Sequence, residues 1–243
     1  MITTICLDFG NTRLKAGIFK EDQLIDIVIL SDQEYVREVQ SLMEKYKPNY
    51  SLLSSVITHT PELEKLLETY CPFHKISHLS SLPFRIPVGK PETVGADRLA
   101  ICAAAAHLFP KQNNLAIGLG TCITYNFINQ HHQFLGGSIS PGLEMRFQSM
   151  HSHTAMLPLV KMDWNFPLVG YDTKTNLLSG VAMGMAKEID GIIEAYEEKF
   201  EELNVLLTGG DSLHFAPLLK KRIFADPHLI FKGLYAISNR NRA

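Results

Sequence analysis

Cysteine is scarce in this sequence, and the few that occur are scattered along the chain. The four cysteines among the 243 residues are Cys6, Cys71, Cys102 and Cys122, and no two of them form a Cys-x-x-Cys pair. Cys6, Cys102 and Cys122 stand among apolar residues, which is typical of small core residues in a reducing compartment. Neither a disulfide framework nor a zinc site is therefore expected.

Long apolar runs and clusters of a single charge are also missing. No apolar stretch approaches the ~20 residues of a membrane-spanning helix, and the first residues read as a strand rather than as a signal peptide. The 23 basic and 25 acidic residues give a net charge of −2, without the basic stripe that is typical of nucleic-acid binding. We therefore expect a cytoplasmic protein with no nucleic-acid partner and no membrane association.

The chain does contain enough apolar material for a sizeable core. Hydrophobic residues make up 46% of the sequence and charged residues 20%, and both values are ordinary for a soluble protein. A length of 243 residues is compatible with one large domain or two small ones. The choice between these depends on the internal organisation of the chain.

An unusual turn joins the first two predicted strands, within residues 3–20. It reads Asp8-Phe9-Gly10-Asn11-Thr12 and is followed by Lys15. Gly10 lets a ligand approach the backbone, the neighbouring amide and hydroxyl offer donors, and Asp8 could hold Mg²⁺ through water on a nucleotide phosphate. The pattern indicates a phosphate-binding hairpin, and an ordinary Asx turn is the alternative.

A second copy of this pattern begins about halfway along the chain. The predicted strand 114–119 leads through Gly118-Leu119-Gly120-Thr121 into two further predicted strands, so that Gly118 takes the place of Asp8. A weak internal repeat of this kind predicts two similar halves, here residues 1–112 and 113–243. A phosphate-holding turn from each half would then face a cleft between them, and the repeat favours the phosphate interpretation of the first turn.

A helix start with two charged residues follows an irregular, proline-rich loop. The sequence Gly95-Ala96-Asp97-Arg98 precedes a run of alanines, which are strong helix formers. The plain interpretation is that Asp97 stabilises the helix N-terminus and that Arg98 belongs to a solvated face. From these residues alone, a functional role for either stays open.

Two further groups of residues leave alternatives open. Gly209-Gly210, after the predicted strand 203–207, would let the backbone lie against a flat ligand such as adenine, or would be a plain turn before a helix. His151 and His153 could bind a metal, although the sequence places no third ligand nearby.

Helical spacing of apolar residues predicts a first helix over residues 33–45. A loop is predicted at residues 166–175, followed by a long helix that begins at Thr175 or Asn176. A last helix is predicted over residues 229–236. The strands and helices together predict an α/β protein.

Taken together, these motifs resemble those of the type III pantothenate kinases, which belong to the acetate-and-sugar-kinase, heat-shock-chaperone and actin superfamily. The resemblance runs over essentially the whole chain. It rests on the turn at residues 8–12 with Lys15, on the motif at residues 95–98, on Gly120-Thr121, and on Thr173, seven residues before Gly180. It implies two ribonuclease-H-like (actin-like ATPase) domains, each a mixed sheet flanked by helices, with a cleft between the domains.

The resemblance also implies an activity. ATP would phosphorylate the primary hydroxyl of pantothenate, which is the first step of coenzyme A biosynthesis. ATP, Mg²⁺ and pantothenate would be the bound molecules, and the chain would form a homodimer. The small-residue helix faces at residues 99–107 and 180–186 are candidate dimer surfaces.

Individual site residues follow from the same resemblance. The implied catalytic base is Asp97, and Asp8 would hold Mg²⁺ through water. The implied nucleotide-binding residues are Asp8, Phe9, Gly10, Asn11, Thr12, Arg13, Leu14, Lys15 and Thr121. The implied substrate-binding residues are Gly95, Ala96, Asp97, Arg98 and Thr173.

Two positions depart from the family pattern. Members of the family usually carry an aspartate two residues before the Gly-Thr of the second turn, as a ligand for K⁺ or NH₄⁺, and Gly118 stands there in this chain. A second acidic position is occupied by Asn126. We therefore expect activity to depend less on a monovalent cation than is usual for the family.

Two other functions stay open at the level of sequence. One is a kinase of the same fold that acts on another small alcohol or sugar, because the phosphate turns would be shared and only the region of residues 95–98 would differ. The other is a regulatory accessory factor without kinase activity. The presence of both Asp8 and Asp97 favours catalysis.

Overall fold

Two five-stranded sheets organise the chain, and the structure, a computed structural model, describes residues 2–242. The first sheet has the strand order β3-β2-β1-β4-β5. Strands β1 and β2 are antiparallel, whereas β4 pairs parallel to β1. The five strands are β1 (Thr3–Phe9), β2 (Leu14–Lys20), β3 (Gln23–Leu30), β4 (Tyr50–Ser55) and β5 (Phe73–Lys75).

Helices cover both faces of this first sheet. On one face, Leu7 of β1 and Leu53 of β4 pack against α1 (Tyr35–Tyr46) and α2 (Pro61–Tyr70). On the other face, strand residues pack against α3 (Ala96–Leu108) and α7 (Leu229–Asn241). Side chains alternate between the two faces along a strand. The central strands β1 and β4 are therefore buried on both sides, which explains why their sequences are almost continuously apolar.

The second sheet repeats the topology of the first. Its order is β8-β7-β6-β9-β10, which matches β3-β2-β1-β4-β5 strand for strand. The pairing of β9 is parallel to both β6 and β10. This confirms the internal repeat predicted from the two turns. The strands are β6 (Asn113–Leu119), β7 (Cys122–Asn129), β8 (Gln133–Pro141), β9 (Leu203–Gly209) and β10 (Phe224–Ala225).

The core of the second half lies under a long helix. Apolar residues of β6 and β9, such as Ile117 and Leu207, pack against α4 (Leu143–Ser152) and α5 (Thr173–Glu197). A four-residue helix, α6 (Ser212–Phe215), follows β9 and contributes Phe215 to the same core. Within the described chain, no helix combines the length and apolar character needed to cross a membrane.

Three helix boundaries differ from the sequence predictions. Helix α1 begins at Tyr35 rather than at residue 33. Helix α5 begins at Thr173 because Asp172 and Thr175 form a reciprocal capping box, so the predicted start at Thr175 or Asn176 was wrong. Helix α7 continues to Asn241, five residues beyond the predicted end.

Contacts divide the chain into two compact units. The first contains the residues up to Lys111, Ile128–Leu135 and the residues from His228 onward, and the second contains Gln112–Phe127 and Gly136–Pro227. The change of unit after Lys111 lies one residue from the predicted boundary. The hairpin tip at Ile128–Leu135 and helix α7 are grouped with the first unit. That each half is an independent domain stays a prediction.

Helix α7 reaches α3 closely because its fifth residue, Gly233, is a glycine. A β-carbon built on Gly233 would lie 1.8 Å from the carbonyl oxygen of Ala100, which is backbone and cannot swing away. The alanine-rich sequence of α3 and the glycine of α7 thus form one close helix pair. That pair lies against the first sheet, with Leu234 of α7 and Leu52 of β4 in the same buried cluster.

We expect Gly233→Ala to lower the free energy of unfolding by about 1–3 kcal/mol, because the added methyl group overpacks the contact with α3. Gly191→Ala is the matched control, since Gly191 is also a helix glycine but has open space where its β-carbon would be. The control should gain about 0.5–1 kcal/mol from helix propensity. Denaturant unfolding of both variants measures the effect, and equal changes in the two would contradict the packing argument.

Candidate functional site

The first polar turn connects β1 to β2 at one end of the first sheet. The amide of Gly10 donates to the carbonyl of Arg13 over 3.1 Å, which closes the turn. Asn11, Thr12 and Arg13 are exposed, whereas Phe9 and Leu14 are buried on either side. The turn therefore presents its polar groups to solvent while apolar neighbours hold it to the sheet.

Asp8 is a carboxylate buried in the sheet just before this turn. Its exposure is only 8%, and it is paired in register with Lys15 on β2. The pKa of Asp8 is raised to about 7; burial is the main cause, the positive charge of Lys15 opposes it, and the charge of Asp97 adds to the rise. An acidic group kept in such a position is typical of a functional site.

The N-terminus of α3 brings the second predicted motif together. Gly95 precedes the helix, and Asp97 and Arg98 lie in its first turn. One carboxylate oxygen of Asp97, Oδ1, accepts a hydrogen bond of 2.8 Å from the Arg98 amide. A β-carbon on Gly95 would lie 2.5 Å from the same oxygen. Glycine at position 95 therefore leaves room for the carboxylate.

The carboxylate of Asp97 is partly buried rather than fully solvated. Burial raises its pKa, and the hydrogen bond from the Arg98 amide and the Arg98 charge act in the opposite direction. The Arg98 guanidinium lies 5.6 Å from the ring centre of Phe134, so Arg98 is not simply part of a solvated face. The hydrogen bond that Asp97 Oδ1 accepts from the Arg98 amide agrees in part with the plain interpretation, in which Asp97 stabilises the helix N-terminus.

Asp8 and Asp97 lie on the same side of the first sheet. Cys6, two residues before Asp8, packs in the same buried cluster as Ala96 and Leu99 of α3. Because strand side chains alternate, Asp8 faces this side as well. The charge of Asp97 also contributes to the raised pKa of Asp8. The structure thus brings together two sequence-predicted acids within the first unit.

The second polar turn, in the second unit, resembles the first in its closing hydrogen bond. The amide of Gly120 donates to the carbonyl of Cys122 over 3.1 Å, and Thr121 is exposed at the turn. Gly142 packs directly on this turn, because a β-carbon there would lie 2.3 Å from the Gly120 carbonyl oxygen. The glycine after β8 therefore shapes the turn that carries Thr121.

The positions expected to bind a monovalent cation hold no carboxylate. Gly118 lies in β6, and the fully buried Asn126 of β7 directs its amide nitrogen at three oxygens. Asn126 Nδ2 donates to the Ala116 carbonyl at 3.0 Å, the Thr124 hydroxyl at 3.1 Å and the Thr124 carbonyl at 3.3 Å. These oxygens already accept hydrogen bonds from the Asn126 amide. The residues present do not fit a K⁺ or NH₄⁺ site here.

The remaining predicted residues are spread over the second unit. Thr173 is the first residue of α5 and is exposed, with Asp172 as the N-cap of the helix. His151 Nδ1 donates to the carbonyl oxygen of Leu157 at 2.8 Å. Among the described residues, no group of three potential ligands is arranged to hold a metal ion.

An apolar cavity in the second unit has no counterpart in the sequence analysis. It has a volume of about 440 Å³ and lies beside α6, the helix that follows Gly209-Gly210. The rings of Trp164 and His214 stack there at 4.5 Å. Trp164 lies in an irregular segment, so no periodicity could have indicated it. Whether the Gly209-Gly210 turn receives an adenine stays a prediction. The lining includes Trp164, Phe166, Leu168, Met183, Leu213 and Leu218.

Solved structures with a similar fold confirm the predicted fold class of two similar ribonuclease-H-like (actin-like ATPase) halves. A putative Baf family transcriptional activator from Campylobacter jejuni aligns with a TM-score of 0.65 at 20% identity, over 98% of both chains. A ROK family glucokinase from Streptomyces griseus, solved with glucose and AMPPNP, gives a TM-score of 0.55 at 12% identity, over 99% of this chain and 100% of that one. At these identities the likeness concerns the fold alone.

Similarity in sequence is more specific. A type III pantothenate kinase from Cytophaga hutchinsonii is 41% identical over 237 residues, which cover 98% of this chain and 99% of that protein. One from Christiangramia forsetii is 37% identical over 239 residues, 98% of each chain. The family model for type III pantothenate kinase matches residues 4–195, which include both acids and both polar turns. The chain belongs to the type III pantothenate kinase family.

Proposed function

We propose that this protein transfers the γ-phosphoryl group of ATP to the primary hydroxyl of pantothenate, the first step of coenzyme A biosynthesis. The observation that carries the proposal is that Asp8 and Asp97 lie on the same side of the first sheet, within the first unit. One acid is suited to the phosphate end of the reaction and the other to the alcohol end. The family membership supplies the identity of the alcohol.

Asp97 is the proposed general base. A neutral alcohol must lose its proton as it attacks the γ-phosphorus, and a carboxylate within hydrogen-bond reach can accept it. Burial raises the pKa of Asp97, which makes it a better proton acceptor than a solvated aspartate. Its hydrogen bond to the Arg98 amide orients the carboxylate at the helix N-terminus.

The two polar turns are the proposed phosphate-binding elements. Asn11, Thr12 and Lys15 of the first turn, and Thr121 of the second, would donate to phosphate oxygens and hold them for in-line transfer. Asp8 would hold Mg²⁺ through water, since a cation bound mainly by nucleotide phosphates needs few protein carboxylates. Bound Mg²⁺ would neutralise charge on the phosphates during transfer.

The acceptor substrate is proposed to bind around the N-terminus of α3. Gly95 and Ala96 would contribute backbone groups, and the planar guanidinium of Arg98 suits a carboxylate or amide oxygen of pantothenate. Thr173 is the further proposed contact. We propose a homodimer, in which Thr173 of a partner copy would reach the pocket, with the small-residue faces of α3 and α5 as candidate contact surfaces.

A kinase for a different small alcohol or sugar is the second candidate. Its phosphate turns would be the same, so a panel of pantothenate, pantetheine and simple sugars in a coupled ADP-release assay distinguishes the two. The regulatory alternative agrees with the name of the Campylobacter jejuni protein, a putative transcriptional activator, but the likeness of that protein to this chain concerns the fold alone. ATP consumption that depends on pantothenate would exclude a purely regulatory role.

Asp97→Asn is expected to lower turnover on pantothenate by roughly 10²–10⁴-fold, the usual contribution of a general base. The fold and ATP binding should be nearly unchanged, because asparagine keeps the shape of the side chain. Glu92→Gln, an exposed acid five residues earlier, is the control and should retain activity. Turnover of Asp97→Asn near that of the wild type would show that Asp97 is not the base.

Asp8→Asn is expected to stabilise the ligand-free protein while it weakens catalysis. The raised pKa of about 7 means that the folded state disfavours the ionised carboxylate, so stability present below pH 4 is lost as pH rises through 7. The variant avoids this loss. Its unfolding midpoint should exceed that of the wild type by roughly 3–6 °C at pH 8, with a smaller difference at pH 4–5.

The measurement is a series of thermal unfolding curves with a chelator and without nucleotide. Asp22→Asn, which changes an exposed acid in the turn after β2, is the control for the loss of one negative charge. A difference between Asp8→Asn and the wild type that does not change with pH would contradict the burial argument.

The wild-type enzyme is expected to show little activation by K⁺, because the Asn126 amide nitrogen already serves the oxygens of Ala116 and Thr124. Asn126→Asp should reverse this. A buried carboxylate facing those oxygens needs a cation, so the variant's unfolding midpoint and turnover should rise with added K⁺. Choline chloride controls for ionic strength, and Asn129→Asp, on the same strand, controls for the substitution. A steep K⁺ activation of the wild type would refute the expectation.

A further inference from the structure

Ser54 of β4 has a buried hydroxyl that the proposed mechanism does not use. Its side chain is fully buried, and its Oγ has no hydrogen-bond partner among residues 2–242. Buried hydroxyl groups in native proteins are nearly always paired, and an exception calls for an explanation. Ser54 also stands in register with Asp8 in the parallel pairing of β1 and β4.

The alternation of side chains places Ser54 on the face that carries the two acids. Cys6 and Leu52 are the preceding register pair, and both pack in the cluster that contains α3. Asp8 and Ser54 come two residues later on each strand, so they face α3 too. Beyond Ser54, the Val56 side chain lies 3.7 Å from the position of a β-carbon on Gly95. Ser54 therefore lies beside Asp8, and Val56, two residues further along the chain, approaches the start of α3.

The second unit repeats this feature. Thr208 of β9 stands in register with Gly118 of β6, as Ser54 does with Asp8. Its side chain is 2% exposed, and its Oγ1 likewise has no partner within the described chain. A buried hydroxyl without a partner among the described residues thus recurs at the equivalent position of both sheets, directly across from the strand that leads into the polar turn.

We propose that the Ser54 hydroxyl donates a hydrogen bond to an oxygen of the transferring phosphoryl group, and is therefore a further residue that contacts the reactants. This inference rests on the proposed kinase function. In that function the phosphoryl group passes from the side of Asp8 to the alcohol held near Asp97, and Ser54 is the register neighbour of Asp8 on the face that packs against α3. Carboxylates repel anionic oxygens, so a neutral donor beside Asp8 stabilises the transferring group without weakening the base.

Ser54→Ala tests the proposal, with Ser51→Ala as the matched control. Ser51 lies on the same strand, is equally buried and has no hydrogen-bond partner of normal geometry in the described chain. It pairs in register with Ile5 and faces the opposite side, where its polar neighbour is the Cys71 thiol. Both variants should keep or raise the unfolding midpoint, because an unpaired buried hydroxyl is removed.

Only Ser54→Ala should lose activity. We expect its kcat to fall roughly 10–100-fold with the KM values for ATP and pantothenate within about threefold, since the hydrogen bond is made mainly in the transition state. Ser54→Cys keeps the side-chain volume but is a weak donor, and should fall similarly. Wild-type turnover in Ser54→Ala, restored turnover in Ser54→Cys, or an equal loss in Ser51→Ala would each overturn the proposal.

The outcome separates this inference from the function on which it rests. A wild-type protein that transfers no phosphoryl group to pantothenate would overturn the kinase assignment and the Ser54 role together. An active wild-type protein whose Ser54→Ala variant keeps its turnover would overturn the Ser54 role alone.

Discussion

The burial of one carboxylate at the end of a central strand is the constraint around which the first half is built. Asp8 is 8% exposed, between the antiparallel strand that carries Lys15 and the parallel strand that carries Ser54. A buried acid lowers stability unless a partner compensates for the lost hydration. A protein can retain this loss of stability where a bound ligand compensates for it. In the proposed reaction, the nucleotide phosphates and their bound cation would compensate for the burial of Asp8.

The second half keeps the architecture and changes the chemistry. Its strand order matches that of the first half, and its turn is likewise closed by a hydrogen bond from a glycine amide. Yet glycine replaces the acid, and a neutral asparagine fills the place where a charged group was expected. A second buried carboxylate would carry its own desolvation cost and would need a compensating partner. A neutral residue at this position avoids that cost within the second unit.

Much of this could be predicted from sequence because the signals are local. The apolar strands, the glycine in each turn and the alanine run of α3 indicated the repeat, the fold class and the two acids. The capping box of Asp172 and Thr175 also involves residues close in sequence, but it was missed because residues 166–175 were predicted to form a loop. Ser54 could not be identified, because its significance depends on its register with Asp8, 46 residues earlier, and on the lack of a hydrogen-bond partner for its hydroxyl in the described chain. The apolar cavity at Trp164 similarly depends on packing between distant segments.

The C-terminal helix shows how far apart in sequence the supports of one site can lie. The family model ends at residue 195, yet α7 belongs to the first unit and packs against α3, which carries Asp97 in its first turn. Its last residue, Asn241, donates to the Ser81 carbonyl at 3.0 Å and accepts from the Ser81 amide at 2.9 Å, which fixes the loop that leads to Gly95. The C-terminal helix thus supports both the loop at Ser81 and the helix that carries the proposed base. Residues of α7, although far from β1 and β4 in sequence, thus form part of the core of the first unit.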